Sequence, residues 1–484
     1  MDSLEFRQHS SSGSQSSGGG SAPPSRRERL AIISTTNKLC GIAAYTASLE
    51  QQLGTVFEVT VFDLDQYLLR SRDRRVVRIA DRHVMEICRQ LSQFDAVNLQ
   101  LEHGTLGRRP NDIYRRFCWL VDAAPRLSVT FHTLLLPPRF PAGQLAKALL
   151  GLDFRAAAGI RSEFRRHRLL SLKIAARLRR VQRYKQVAAI VHTRRNHHDA
   201  AYLYGIDNVF DHPLSFLSAT QIEAARDRAC RRDFPVLDRI PEHATLIGVF
   251  GFINYYKGLS TVIKSLHHLP ADHHLLIFGG IHPNEIARER PIHPYLASLL
   301  DDAYVGTTPY DQISGGTTGE GAPKLVLDID HSLGELLGAH PRDLSTRIHF
   351  MGALGDREFL AGMASCDVVV FPYLEVGQSS SGPISQALEL GCRIIATRTH
   401  AFLGFAEYHK DAVEFFDIGN YLELAERILA RRQFPPRNGL PDFNVETNKA
   451  IYLAANGGLP PRQRRSVARP GRTSERAERD SSTN

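Results

Sequence analysis

The sequence predicts an α/β protein that contains two doubly wound domains. Short apolar runs alternate with helical patterns over most of the chain. The runs are nearly continuous in Val, Ile and Phe, which is typical of parallel strands buried on both faces. They fall into two series, separated by the charged, strand-poor stretch 219–243. Strand–helix repetition of this kind implies right-handed crossovers, and two series imply two such domains.

Each series contains five predicted strands, with helical patterns such as 258–269 and 356–366 between them. The strands of the first series are 30–34, 57–64, 94–100, 127–134 and 187–193; those of the second are 245–251, 274–280, 347–352, 367–373 and 393–397.

Composition divides the chain into five segments. Residues 1–28 and 459–484 are rich in Ser, Gly and Arg, lack aliphatic periodicity and are expected to be disordered. The first domain is predicted at 29–235 and the second at 236–435, with a partly mobile insert at 303–345. Segment 436–458 is expected to pack back on the first domain.

The chain has 484 residues, of which 43% are hydrophobic and 23% charged. These values predict a soluble globular protein. No apolar run is long enough to cross a membrane and no signal peptide is visible, so a cytoplasmic location is expected. Six scattered cysteines show neither metal-ligand nor redox spacing and are interpreted as reduced packing residues.

The net charge of +9 is concentrated in one block. Eleven Lys or Arg residues and one acid, Glu163, lie between Arg155 and Lys185. Leu169, Leu172 and Ala176 share one helical face within it. Two interpretations stay open: contact with an anionic membrane surface, or a solvated cationic helix. Nucleic-acid binding is disfavoured because aromatic residues do not alternate with the basic ones and no nucleic-acid motif appears.

Ligands of open α/β sheets bind beyond the carboxyl ends of the strands, so the strand-to-helix turns are the places to search. In the first domain, Gly41 precedes a predicted helix and is either a phosphate-approaching glycine or an ordinary turn. Glu102 and His103 end a buried strand, where they contact substrate or cap the next element. His132 also ends a strand and is either a cleft residue or a core histidine.

Two turns of the second domain are suited to a diphosphate. Lys257 and Gly258 stand at a helix start, where a lysine beside free N–H groups complements an anion. The loop GQSSSG contains Ser380, Ser381 and Gly382 and is followed by Pro383, a residue favoured in the first helical turn. Its N–H groups are suited to cradle an anion or to bind sugar hydroxyls; the alternative is a mobile loop.

Taken together, CGIAAYTASL, VTFHT, YYKGLS and GQSSSGPISQALELG resemble motifs of retaining glycosyltransferases of the GT-B fold, family 4. The resemblance runs from about Leu30 to about Ala455. It implies two Rossmann-like domains that face each other across a cleft, with a nucleotide-sugar (UDP- or GDP-sugar) on the second domain and the acceptor on the first. It also implies a metal-independent hexosyltransferase in polysaccharide or cell-envelope glycan synthesis, with a glycan or lipid-linked acceptor.

The same resemblance assigns roles to residues. Lys257 and the loop at Ser380, Ser381 and Gly382 would stabilise the departing diphosphate, and His132 would orient the acceptor or a sugar hydroxyl. The family's two donor-loop glutamates are replaced here by Gln378 and Gln386, expected on the sugar and the ribose, respectively. Its arginine is replaced by Phe252. Glu375 and Glu389 lie nearby as possible substitutes for the missing carboxylates.

These departures keep two functions open. The first is sugar transfer by the mechanism just described, without cofactor or metal. The second is a nucleotide-sugar-binding protein of the same fold that has lost activity, because Gln can still hydrogen-bond hydroxyls. Peripheral association with the inner face of the membrane through 155–185 fits the first. A dehydrogenase is disfavoured because no GxGxxG follows any predicted strand.

Overall fold

The computed structural model describes residues 26–36, 41–134, 140–228, 234–281, 294–303, 344–430 and 440–457. Almost all of the predicted terminal segments 1–28 and 459–484, and of the insert 303–345, lies outside these residues. The side chain of His167 is also outside the description.

Two six-stranded sheets, parallel throughout, form the framework. The first contains β1 Arg29–Ser34, β2 Glu58–Asp63, β3 Ala96–Leu101, β4 Leu127–Phe131, β5 Val187–Val191 and β6 Asn208–Asp211. The second contains β7 Thr245–Phe250, β8 His273–Phe278, β9 Ile348–Gly352, β10 Val368–Phe371, β11 Ile394–Thr397 and β12 Val413–Phe416.

The described helices connect and cover these strands. They are α1 Gly41–Leu53, α2 Gln66–Leu69, α3 Arg74–Gln90, α4 Pro110–Ala123, α5 Ala142–Leu150, α6 Phe154–Val181, α7 Arg194–Tyr202, α8 Ala219–Asp227, α9 Leu259–Leu266, α10 Pro294–Ala303, α11 Asp356–Ala364, α12 Gly382–Glu389, α13 His400–Ala406, α14 Tyr421–Leu429 and α15 Val445–Asn456. Short 3₁₀ turns occur at Leu91–Gln93, His103–Thr105, Pro235–Arg239 and Tyr255–Lys257.

The predicted fold class is confirmed: the chain forms two Rossmann-like α/β domains that face each other across a cleft. Their strand orders are β2-β1-β3-β4-β5-β6 and β12-β11-β10-β7-β8-β9. Each order reverses once, between β1 and β3 in the first sheet and between β7 and β10 in the second. In such sheets the turns that flank the reversal splay apart and leave a crevice for ligands.

All ten predicted strands form, and the structure adds two that the sequence reading did not identify. β6 and β12 are four residues long and lie at sheet edges. In β6 a Val and a Phe lie between Asn208 and Asp211, and β12 is interrupted by Glu414, so neither gives the longer apolar run by which the other strands were recognised.

The last described helix, α15, packs on the first sheet although it follows the second in sequence. Its Tyr452 hydroxyl lies 2.9 Å from Thr130 Oγ1 and 3.4 Å from the hydroxyl of Tyr45. Asn456 Oδ1 accepts from Ser128 Oγ at 2.6 Å. These groups are buried, and the mutual hydrogen bonds offset the cost of removing them from water.

Candidate active site at the interdomain cleft

Lys257 occupies the turn after β7, beside the reversal point of the second sheet. The turn ends at Gly258, whose φ of +65° lies in the left-handed region. A Cβ at this position would lie 1.9 Å from the carbonyl oxygen of Pro372, which follows β10. Only glycine therefore lets the turn after β7 approach the end of β10 so closely. This approach places Lys257 against the turn that follows β10.

The Lys257 amine contacts one residue that connects it to the serine loop. Its Nζ donates a hydrogen bond to the hydroxyl of Tyr373 and lies 3.8 Å from the centre of that ring. The same hydroxyl is 3.2 Å from Ser381 Oγ. The structure thus brings Lys257 and the predicted loop together through Tyr373, a residue that the sequence reading did not single out. Its only sequence signal was a position two residues beyond β10.

Burial strongly affects the charge of this lysine. Lys257 is 6% exposed, and desolvation lowers the pKa of its amine to about 7. The described residues show no salt bridge to it. A buried amine without a carboxylate partner is a site where an anionic ligand would restore the charged form.

The rest of the serine loop lies between strand β10 and helix α12. Gln378 and Ser380 are half-buried, and Ser381 is buried at the N-cap position of α12. Gly382 begins the helix, and a Cβ there would lie 3.1 Å from the Phe216 ring of the opposite half. Gln386 follows one turn later and is half-buried. The loop is therefore held at the boundary between the halves.

The two glutamates near the loop, Glu375 and Glu389, both accept hydrogen bonds from groups of the protein. Glu375 is exposed, and its two carboxylate oxygens accept from the backbone N–H groups of Gly377 and His400. Glu389 is buried at the end of α12 and holds the connection between the halves. It accepts from Ser215 Oγ at 2.7 Å and from the N–H groups of Phe216 and Leu217 at 2.9 and 3.1 Å. Burial raises the pKa of Glu389 to about 7. Both carboxylates are thus occupied within the protein.

On the first sheet, His132 follows β4 directly and is buried. Its Nε2 lies 2.8 Å from Gln100 Oε1, an acceptor, so Nε2 carries the proton. Burial, followed by the neighbouring His192, lowers the pKa of His132 well below its usual value. The ring is therefore neutral, and its Nδ1 holds a lone pair. A histidine in this state can accept a hydrogen bond but cannot supply a positive charge.

His192, which the sequence reading included only as part of a strand, lies beside His132. The ring centres are 5.4 Å apart, and Tyr45 meets both rings edge-on at 5.6 and 5.8 Å. His192 lines a narrow crevice between the halves, together with Ser379, Ser380 and Ser381. The signal available in the sequence was a polar residue immediately after a buried strand, as for His132.

The remaining candidates of the first half lie after β1 and β3, on either side of its reversal point. Gly41 is exposed and begins helix α1, and no described atom lies within 4 Å of a Cβ placed there. Glu102 is half-buried, and burial raises the pKa of its carboxyl group. His103 is buried in the following 3₁₀ turn, where desolvation lowers its pKa to about 4. Ser380 and Ser381 line the crevice between the halves, whereas Gly41, Glu102 and His103 do not.

No group of three or more His, Cys, Asp or Glu side chains suited to a metal ion occurs among the described residues.

Comparisons with known proteins show the fold. No protein-family model and no curated protein matches the sequence. Solved structures do match. A UDP-forming α,α-trehalose-phosphate synthase from Burkholderia xenovorans is 13% identical with a TM-score of 0.54, over 88% of this chain and 98% of that one. An α,α-trehalose-phosphate synthase (UDP-forming) from Burkholderia vietnamiensis is 12% identical with a TM-score of 0.51, over 89% and 95%. The chain thus has the two-domain GT-B architecture.

Proposed function

We propose that this protein is a glycosyltransferase that moves a hexosyl group from a nucleotide-sugar to a glycan or lipid-linked acceptor, with retention of configuration and without a metal ion. The observation that carries the proposal is the convergence of Lys257 and Ser381 on Tyr373, beside the reversal point of the second sheet. A buried, unneutralised amine and a serine-rich helix start at that point are suited to a diphosphate.

The proposed chemistry is electrostatic. As the bond from sugar to diphosphate breaks, negative charge builds on the leaving diphosphate. Lys257 in its charged form and the N–H groups at the start of α12 stabilise that charge. His132, neutral, accepts a hydrogen bond from a hydroxyl of the sugar or the acceptor through Nδ1. Gln378 and Gln386 bind the sugar and the ribose by hydrogen bonds in place of the carboxylates that they replace.

The first experiment is a thermal-shift screen with UDP-, GDP- and ADP-sugars, followed by assays of transfer and hydrolysis. UDP-sugars are the first probes because the two similar synthases are described as UDP-forming. A ligand that binds the folded protein at about 100 times its Kd raises its stability by about 2.7 kcal/mol. Absence of any shift across the panel would exclude the proposal.

Substitution of Lys257 tests the role of the amine. Lys257→Ala is expected to lower turnover by about two to three orders of magnitude, the usual effect of losing one electrostatic stabiliser. Lys264→Ala is the matched control, because Lys264 lies on the adjacent helix but points to Asp302, 3.6 Å from its carboxylate. Turnover by Lys257→Ala at the wild-type rate would refute the assignment.

A nucleotide-sugar-binding protein without transferase activity is the second candidate. This candidate is favoured because Glu375 and Glu389, the carboxylates nearest the loop, already accept hydrogen bonds from backbone N–H groups of the protein. Binding of a nucleotide-sugar with neither transfer nor hydrolysis would select this candidate. Release of free nucleotide from the bound donor, abolished in Lys257→Ala, would select the enzyme.

We also propose peripheral contact with the cytoplasmic face of an anionic membrane, through the predicted basic block 155–185 and the turn before it. Leu150, Leu152 and Phe154 are exposed at the junction of α5 and α6, next to Arg155, and Leu169 and Leu172 are exposed further along α6. No helix within the described residues is long and apolar enough to cross a membrane.

Sedimentation with vesicles of phosphatidylglycerol, compared with phosphatidylcholine, tests the membrane proposal. Binding to the anionic vesicles should fall with salt and with the pair of changes Leu150→Asp and Leu152→Asp. Leu429→Asp, an exposed leucine of the second domain, is the control. Equal recovery of all variants with both vesicle types would mean that the block is a solvated cationic helix.

A further inference from the structure

The crevice between the halves contains two buried polar atoms that lack partners. One is Nε2 of His192, at the end of β5 in the first sheet; the other is Oγ of Ser385, in the first turns of α12. Each residue is 2% exposed. Neither atom has a hydrogen-bond partner among the described residues. Polar side-chain atoms that are buried in this way normally have a partner, so two of them at one crevice indicate a group that is still to be bound.

The protonation of His192 fixes what that group must offer. Its Nδ1 lies 3.0 Å from the backbone carbonyl oxygen of His212, which can only accept, so Nδ1 carries the proton. Burial lowers the pKa of His192 to about 4, and the ring is therefore neutral near pH 7. Nε2 accordingly presents a lone pair to the crevice. It requires a donor, such as a hydroxyl group, and it would repel a phosphate oxygen.

Ser385 supplies the hydrogen-bond donor of the crevice. Other buried helical serines of this chain donate to a carbonyl three residues earlier, as Ser171 does to Arg168 and Ser265 does to Val262. The hydroxyl of Ser385 makes no such bond in the described structure. It is thus free to donate to a ligand oxygen. An acceptor nitrogen and a donor hydroxyl at one crevice match the two hydrogen-bonding functions of a single alcohol group.

The size and position of the crevice further restrict which ligands could bind there. The crevice has room for a group about the size of one water molecule. Its wall includes Ser380 and Ser381, and Ser381 is connected through Tyr373 to Lys257. A hydroxyl held here is therefore next to the segment that is proposed to bind the diphosphate. Apolar groups, among them Ile384 and Phe405, form much of the remaining wall, so the crevice suits a single hydroxyl and not a charged group.

We propose that this crevice is a hydroxyl-binding subsite for the transferred sugar, in which His192 Nε2 accepts a hydrogen bond from one sugar hydroxyl and Ser385 Oγ donates to the oxygen of the same hydroxyl. This inference rests on the proposed function and deepens it. It makes His192 and Ser385, one from each domain, determinants of sugar recognition rather than of nucleotide binding.

The test compares the affinity for a nucleotide-sugar with that for its free nucleoside diphosphate, measured by titration calorimetry. UDP-glucose and UDP are the first pair; if the screen selects another donor, that donor and its diphosphate replace them. Two variants of His192 separate its nitrogens. His192→Asn keeps a donor near Nδ1 for the His212 carbonyl but removes the acceptor at Nε2. His192→Gln places an amide near Nε2 and keeps an acceptor there.

The expected result is selective. His192→Asn and Ser385→Ala should each weaken binding of the nucleotide-sugar by about tenfold, the effect of one buried hydrogen bond, and leave the affinity for the diphosphate within about twofold of wild type. His192→Gln should recover part of the loss. Unchanged melting temperatures without ligand would show that the fold is retained.

Four outcomes would overturn the proposal. Variants that bind the nucleotide-sugar like wild type would mean that the crevice holds only an ordered water molecule. Equal losses for the nucleotide-sugar and the diphosphate would assign the two residues to the domain interface. If wild type binds the diphosphate but gains nothing from the sugar, the subsite fails while nucleotide binding stands. If wild type binds no nucleotide at all, the proposed function fails with it.

Discussion

The buried amine of Lys257 leads to a quantitative prediction about protons. Without ligand its pKa is about 7, lowered by burial. A diphosphate in contact with the amine would favour the ammonium form and return the pKa towards its ordinary value. At about pH 8 roughly nine tenths of the free protein has a neutral Lys257, so binding should take up about 0.9 proton.

The sign of the pH dependence follows from the same shift. Below about pH 7 the amine is already charged, so binding needs no proton and affinity is constant. Above it, each pH unit should weaken binding about tenfold until the pKa of the complex is reached. UDP-glucose is the better probe, because its diphosphate has no ionisation near neutrality, whereas the terminal phosphate of UDP does.

Calorimetry in two buffers of different ionisation enthalpy, such as HEPES and Tris, measures the uptake directly. Lys257→Met is the control, because it keeps the length and packing of the side chain but has no titrating group. Glu389, whose pKa is also about 7, is present in both proteins, so its contribution cancels in the comparison. No uptake by wild type at about pH 8, or the same uptake by Lys257→Met, would refute the reasoning.

Three further predictions concern stability, measured by urea unfolding. Lys257→Met should raise the free energy of unfolding at neutral pH by about 2–5 kcal/mol, because the pKa of Lys257 is lower in the folded protein than in the unfolded chain. This gain in stability should be full below about pH 7 and should vanish as the pH approaches 10.5. A stability difference between the two proteins that does not change with pH would contradict this reasoning. Gly258→Ala should lower the free energy of unfolding by about 2 kcal/mol or more beyond the loss caused by Gly352→Ala. Both glycines have a positive φ, but only at Gly258 would a Cβ collide with backbone atoms. Equal losses of stability in the two variants would exclude that clash. Glu389→Ala should lower stability by about 2–4 kcal/mol, since it leaves buried donors of the connection unpaired, and a loss below about 0.5 kcal/mol would show that the carboxylate does not hold the halves together.

Several features of the site could be read from the sequence because they depend on local patterns. A buried parallel strand is a continuous apolar run, and its end is a polar or glycine-containing turn. This identified ten strands and placed His132, Lys257 and the loop at Ser380 and Ser381 at carboxyl ends. Strands β6 and β12 lack that run, because each is four residues long and its apolar residues are flanked or interrupted by Asn, Asp or Glu. Their absence from the prediction follows from the same rule.

The sequence by itself determined the class of fold, the two strand series and the turns in which polar chemistry is concentrated. Only the tertiary structure decided which side chains meet. Tyr373 joins Lys257 to Ser381, Glu389 binds the interdomain connection instead of a ligand, and His192 faces the serine loop from the other domain. The physical reason is that local patterns reflect burial and backbone geometry within about ten residues. Contacts across β7 and β10, or across the two domains, depend on strand order and docking, which no local pattern encodes.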